Sequence, residues 1–380
     1  MKVVVAPGAF KECLGASEAA EAIAGGVRSV FPDAEIVLVP VADGGTGTVS
    51  AIVSAAGGRL LTSAVTGPLG ESVEATFGLI DGGRTAVIEM AAASGLELVP
   101  AFSRDPMAAT TFGTGELIGR ALEEGAATIL VGAGNSATVD AGAGMAQALG
   151  AGLLDSGGRQ IPRGGGGLVF LDRLDLSGLD ARLARTEFIA ACDVDNPLTG
   201  EDGAARVYAP QKGATDDMVA ELERNLERFD MVAGRDLGKE VGALPGAGAA
   251  GGLGAGLAAF MDARLERGAE IVLEYCGLRE KISGADLVIT AEGKLDGQTA
   301  FGKAPVAVAR LARECGVRAV AFAGSLGEGA EAVHGEGIDA YFHIAPRPVS
   351  LEEALREAPD FLRRAAEQAM RLFKAASNFS

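Results

Sequence analysis

Tryptophan is absent from this chain of 380 residues, and histidine occurs only at His334 and His343. A Ser-His-Asp or Cys-His nucleophilic centre therefore has few bases to draw on. The four cysteines, Cys13, Cys192, Cys276 and Cys315, lie far apart with no C-x-x-C pair, which argues against structural disulfides and a zinc site and fits a reducing compartment. Basic residues are in the minority, 33 Lys and Arg against 51 Asp and Glu, for a formal net charge of −18. A nucleic-acid partner needs a concentrated basic face, and these residues are scattered. No apolar run suits a membrane span, since the longest uncharged stretch, Ala243 to Met261, holds a proline and many glycines and alanines. Met1-Lys2-Val3-Val4-Val5-Ala6-Pro7 shows no basic segment, apolar stretch and cleavage site in order, so a cytoplasmic protein is expected.

What the chain has is length, with 48% hydrophobic residues and 56 glycines. A single core usually stops growing near about 250–300 residues, so two domains are the default. The composition suits helices packed on a parallel sheet with glycine turns, an α/β fold. Strands are read at Lys2–Ala6 and Glu35–Val41, with a helix between them from about Ser17, its N-cap, to Val30. The C-terminal part repeats the rhythm: strand Leu287–Thr290, glycine loop, helix Pro305–Cys315, strands Ala319–Ala323 and Ala340–Ile344, and a last helix from Leu351. That alternation means a doubly wound parallel sheet. The middle is strand-rich at its start and then glycine-rich. The economical division joins residues 1–58 and 285–380 into one flavodoxin-like domain, with 59–284 as an inserted second α/β domain. A ligand is then expected in the cleft between them, beyond the carboxyl ends of the parallel strands.

Four motifs carry candidate chemistry. After the strand Thr128–Val131, the string Gly132 to Asp140 leads into a helix, so its backbone N–H groups, with Ser136, could line an anion site and Asp140 would sit at the mouth. An ordinary capped turn remains the other reading. Asp193 and Asp195 follow the strand Phe188–Ala191, where carboxylates can hold Mg²⁺ or accept a hydroxyl proton; a solvated turn is the alternative. Gly246 to Gly251 satisfies G-x-G-x-x-G, but Pro245 precedes it and no good strand leads in, so nicotinamide binding is not expected. Gly297 to Lys303 has P-loop spacing, yet Ala304 replaces the hydroxyl that should ligate Mg²⁺. A glycine loop feeding a helix with Lys303, and with Glu292, Lys294 and Asp296 upstream, still suits phosphate.

Together these strings resemble the bacterial glycerate kinase family of the type that forms 2-phosphoglycerate. The matching segments include Val39 to Gly45, Val65 to Gly70, Glu89 to Leu96, Gly113 to Leu117, Gly144 to Gly150, Ala191 to Leu198, Pro210 to Ala214 and Pro245 to Gly252. The chain departs from the pattern inside its motifs. Gly8 and Ala9 stand for Asp-Ser before Phe10-Lys11, Thr46 for Glu, Phe112 for a polar residue, Asn135 for Gly, Val139 for Asn, and Ala141 and Ala291 for Gly.

The resemblance implies a flavodoxin-like domain with an inserted α/β domain, and an ATP- and Mg²⁺-dependent kinase acting on glycerate. Lys11, Asp43 and Asp193 are the candidates for catalysis. Ser136, Asp140, Asp195, Lys294, Asp296 and Lys303 are the candidates for binding substrate or phosphate, and Asp193 and Asp296 for Mg²⁺. The expected partners are a small hydroxy acid and a nucleotide, with no nucleic acid and no membrane; a homodimer stays open. A kinase for another hydroxy acid and a silent ligand-binding paralogue are the alternatives that the altered motif positions leave standing.

Overall fold

The computed structural model describes residues 1–10, 13–297, 299–301 and 303–377. Its strands in chain order begin with β1 (Lys2–Val5), β2 (Glu35–Leu38), β3 (Arg59–Thr66), β4 (Ser72–Ile80) and β5 (Thr85–Glu89). They continue with β6 (Thr128–Gly132), β7 (Gly152–Leu154), β8 (Arg173–Asp175), β9 (Glu187–Cys192) and β10 (Arg264–Arg267). The last three are β11 (Leu287–Leu295), β12 (Ala319–Leu326) and β13 (Ala340–His343). The chain forms two compact units, one of Met1–Asp43, Ser54–Ala56 and Ala269–Ser380, the other of Gly44–Val53 and Gly57–Gly268.

The first unit is a five-stranded parallel sheet in the order β13-β12-β11-β1-β2. Counted along this unit, that is the 2-1-3-4-5 order of flavodoxin-like sheets, whose connections reverse direction between β1 and β11. Val3, Val4 and Val5 are all fully buried. Three consecutive buried apolar residues need cover on both faces of the strand. One face carries the helices Ala16–Val30 and Ala358–Ser377, through Ile23, Val27, Leu362 and Met370. The helix Ala304–Glu314 packs on β11 and β12. The first helix begins one residue before the expected Ser17 cap: its N-cap is Gly15, whose amide donates to the Glu18 carboxylate at 2.9 Å.

The second unit holds a six-stranded mixed sheet in the order β10-β9-β6-β5-β4-β3. The strands β10, β9, β6 and β5 are parallel, and β5, β4 and β3 pair antiparallel. Its core joins Ile88, Ile129, Val131 and Phe188 of the sheet to Leu117 and Ile118 of Phe112–Glu123, Phe229 of Asp216–Leu237 and Leu253 of Ala249–Met261. Phe229 and Phe260 meet ring to ring at 5.9 Å.

The division at 58/59 and 284/285 read from strand rhythm differs from these units. Gly44–Val53 belong to the second unit, where Glu89 accepts hydrogen bonds from the amides of Gly47 and Val49. Residues 269–284 belong to the first, where Leu278–Ile282 packs on Ala304–Glu314. Strand rhythm does not register such short crossings.

Candidate active site

In the second unit the register of the parallel strands brings their carboxyl ends level. Glu89 stands opposite Gly132, Gly132 opposite Ala191, and Cys192 opposite Arg267. Open α/β sheets bind ligands beyond such ends. Here the backbone of Gly44 and Gly45 lies against them: a Cβ at Gly132 would strike the Gly44 carbonyl, and one at Gly134 would come 3.0 Å from Gly45 Cα. Glu89 fixes the same segment, accepting from Gly47 N at 3.0 Å and Val49 N at 2.7 Å, while burial pushes its carboxyl above the usual range. Thr46 Oγ1 accepts from Asn135 Nδ2 at 2.8 Å. Two positions where the chain departs from the family pattern thus touch each other.

The loop after β6 corrects one reading. Asp140 does not sit at the mouth of an anion site: its exposure is 0%. Its carboxylate accepts from Thr111 N and Thr111 Oγ1, both at 2.9 Å, from Gly142 N and Gly144 N at 3.2 Å, and from Thr110 Oγ1 at 3.5 Å. The helix Ala143–Ala148 spends its other leading donors inside the protein too, Ala143 N on the Asp140 carbonyl and Met145 N on Thr111 Oγ1. That helix start is already filled by a carboxyl group of the protein itself, Asp140. Burial raises the carboxyl's pKa against the lowering effect of these bonds. Ser136, 5% exposed, lies in the same loop and accepts from Lys212 Nζ at 2.6 Å.

Asp193 and Asp195 follow β9 and are exposed. Asp195 pairs with Arg267 at the end of β10, 2.9 Å apart, and so much water around both groups leaves the pair little energy. Cys192 beside them is no nucleophile, because burial and then the Asp193 charge push its thiol up to about 12.

The first unit offers a second charged strand end. β11 runs to Leu295, beyond the expected Thr290, so Glu292 and Lys294 lie in the strand itself with Asp296 just past it. Lys294 Nζ meets Asp296 Oδ2 at 2.8 Å, and Asp296 N donates to Thr299 Oγ1 at 3.1 Å. Lys303 is the N-cap residue of Ala304–Glu314, with no side-chain cap bond. A cation there opposes the helix dipole, an arrangement that an anionic ligand would reverse. Asp43 is half-buried, and Lys11 lies outside the described residues. Among the described residues no three His, Cys, Asp or Glu side chains gather to hold a metal.

The glycines of Gly246 to Gly251 serve packing. Ala250, Gly251 and Gly252 have φ of 52°, 71° and 90°, and a Cβ on Gly251 would strike the Thr138 carbonyl. They let the chain press against the loop that carries Ser136 and Asp140.

Sequence reasoning missed Lys212, Glu89 and Arg267 as site residues. Lys212 had a signal, a lone charge inside Pro210 to Ala214, and Glu89 had its place at a strand end. Arg267 had none, because β10 is too short and polar to read as a buried strand.

The two larger sheets with their covering helices define a two-unit α/β protein. Residues 3–374 match the glycerate kinase family, and the chain belongs to that family. It is 51% identical over 366 residues to a Bacillus subtilis protein named glycerate kinase, covering 96% of each chain. The glycerate 2-kinase of Escherichia coli K12 is likewise 51% identical over 366 residues, with 96% of each covered. The crystal structure of a Salmonella typhimurium LT2 protein assigned as glycerate kinase 2 superposes with a TM-score of 0.90 at 48% identity, covering 100% of this chain and 99% of that one. Among the described residues no helix is long and apolar enough to cross a membrane.

Proposed function

We propose that this protein transfers the γ-phosphoryl group of ATP to a hydroxyl of glycerate, forming 2-phosphoglycerate, in the cytoplasm. The observation that carries this reading is 51% identity over 96% of both chains to a protein named glycerate 2-kinase. Phosphoryl transfer needs positioned charge more than covalent chemistry, which suits a chain with two histidines and several acidic and basic strand ends. Lys11, Lys294 and Lys303 are assigned to the anionic groups of nucleotide and acid. Asp193 and Asp43 are assigned to the proton of the attacking hydroxyl, and Ser136 and Asp195 to binding the substrate.

Mg²⁺ is commonly held by one or two carboxylates with phosphate and water completing the shell. Asp193, exposed at the end of β9 in the second unit, and Asp296, just past β11 in the first, are each assigned to it as candidate ligands. When bound, it would neutralise charge on the phosphoryl oxygens.

The test is ADP release with ATP, Mg²⁺ and each glycerate enantiomer, with the product identified by phosphorus NMR. ADP that appears with glycerate, together with the 2-phosphate resonance, is the expected result. A 3-phosphate resonance would replace the product assignment, and no ADP with either enantiomer would refute the activity.

A further inference from the structure

Among the described residues Lys212 is the only buried lysine, 2% exposed. Its Nζ donates to Ser136 Oγ at 2.6 Å and to the Thr138 carbonyl at 2.7 Å, and Asp140 is the charged group that faces it. An ammonium only donates, so the Ser136 oxygen is committed as an acceptor and its own proton must go elsewhere. Among the described residues that proton meets no acceptor. A hydroxyl that accepts from a cation is polarised and donates more strongly. Asp140 favours the charged form of Lys212 through space but accepts no hydrogen bond from it, its oxygens being taken up by Thr110, Thr111, Gly142 and Gly144. Where Lys212 keeps its proton, which burial confines to pH below about 7, the loop holds a buried positive charge one hydroxyl away from the carboxyl ends of the parallel strands.

We propose that Lys212 is a positioning residue that sets the Ser136 hydroxyl as a hydrogen-bond donor to an oxyanion of the reactants, acting through Ser136 and not by contact. This rests on the kinase reading of the site. The oxyanion is the carboxylate of the acid or a phosphate of the nucleotide, two sources with one chemistry.

The experiment is a double-mutant cycle on Lys212→Met and Ser136→Ala, with dissociation constants for D-glycerate and for ATP with Mg²⁺ measured by calorimetry alongside ADP release. Each single variant is expected to weaken the same one ligand about tenfold, and the double variant by no more than about twofold beyond the worse single. Loss confined to glycerate assigns the carboxylate, and loss confined to ATP assigns the phosphate. Lys212→Gln keeps a neutral donor and should recover part of the affinity; it also serves if Lys212→Met does not fold. Single-variant losses that multiply in the double, equal loss of both ligands, or a Ser136→Ala variant that binds as wild type overturns the proposal. Wild-type protein that binds without releasing ADP refutes the kinase reading alone, and wild-type protein that binds neither ligand overturns both.

Discussion

At the scale of single residues, burial separates the acids that can meet a ligand from those that cannot. Asp193 stands exposed at the end of β9, so Asp193→Asn should lower kcat by about 10²-fold or more while the melting temperature stays within a degree or so. Steady-state kinetics beside a thermal melt reads both, and wild-type turnover would remove Asp193 from the mechanism. Lys212 carries the opposite signature, because burial drives its pKa down to about 7 from 10.5. Between those values the unfolded chain holds a proton that the folded chain has given up, so this group's contribution to stability grows as pH rises through that window and is lost as pH falls through 7. The melting temperature of wild type relative to Lys212→Met should therefore shift in wild type's favour between pH 6 and pH 9. Ala141 has φ +50°, a left-handed backbone at a position where the family pattern has glycine. Ala141→Gly should raise stability by about 1 kcal/mol, read by denaturant titration, because glycine removes the Cβ that this region penalises.

At the scale of elements, close approach is built on glycine. Gly26 lies where the helices Ala16–Val30 and Ala358–Ser377 press together: a Cβ there would strike the Arg363 carbonyl and lie 2.8 Å from Ala366 Cβ. Gly26→Val should cost about 1–3 kcal/mol, seen as a lower midpoint in urea with the active-site loops untouched. Elements of this kind were legible in the sequence. β1, the Ala304–Glu314 helix and the parallel alternation follow from runs of Val and Ile at the right period with glycine between them. The register of β10 against β9 was not, since Arg264–Arg267 alternates charge with a single leucine and gains its place only from its neighbour. The loop after β6 was half legible. Its position after a strand was read correctly, but nothing local tells whether Asp140 faces outward or closes its own helix start. That depends on Thr110 and Thr111, thirty residues upstream.

At the scale of the whole molecule, the two units have separate cores, one around Ile23, Val5 and Leu362, the other around Ile88, Leu117 and Phe229. Phe229→Ala, which empties a fully buried aromatic site, should cost about 3–5 kcal/mol in the second unit. Hydrogen exchange should then speed up in β5, β6 and β9 before it does in β1 and β11; equal acceleration in both sheets would show that the cores melt as one.

The pairing of β1 with β11 sets Val3 against Leu287, whereas the whole second unit lies between Gly44 and Gly268. On a ribosome that adds residues in order, every strand of the second sheet has been made before β11 is begun. The earliest strand of the protein thus waits through most of translation for its central neighbour, with only β2 beside it, and its three buried valines are the surface a nascent-chain chaperone would have to cover.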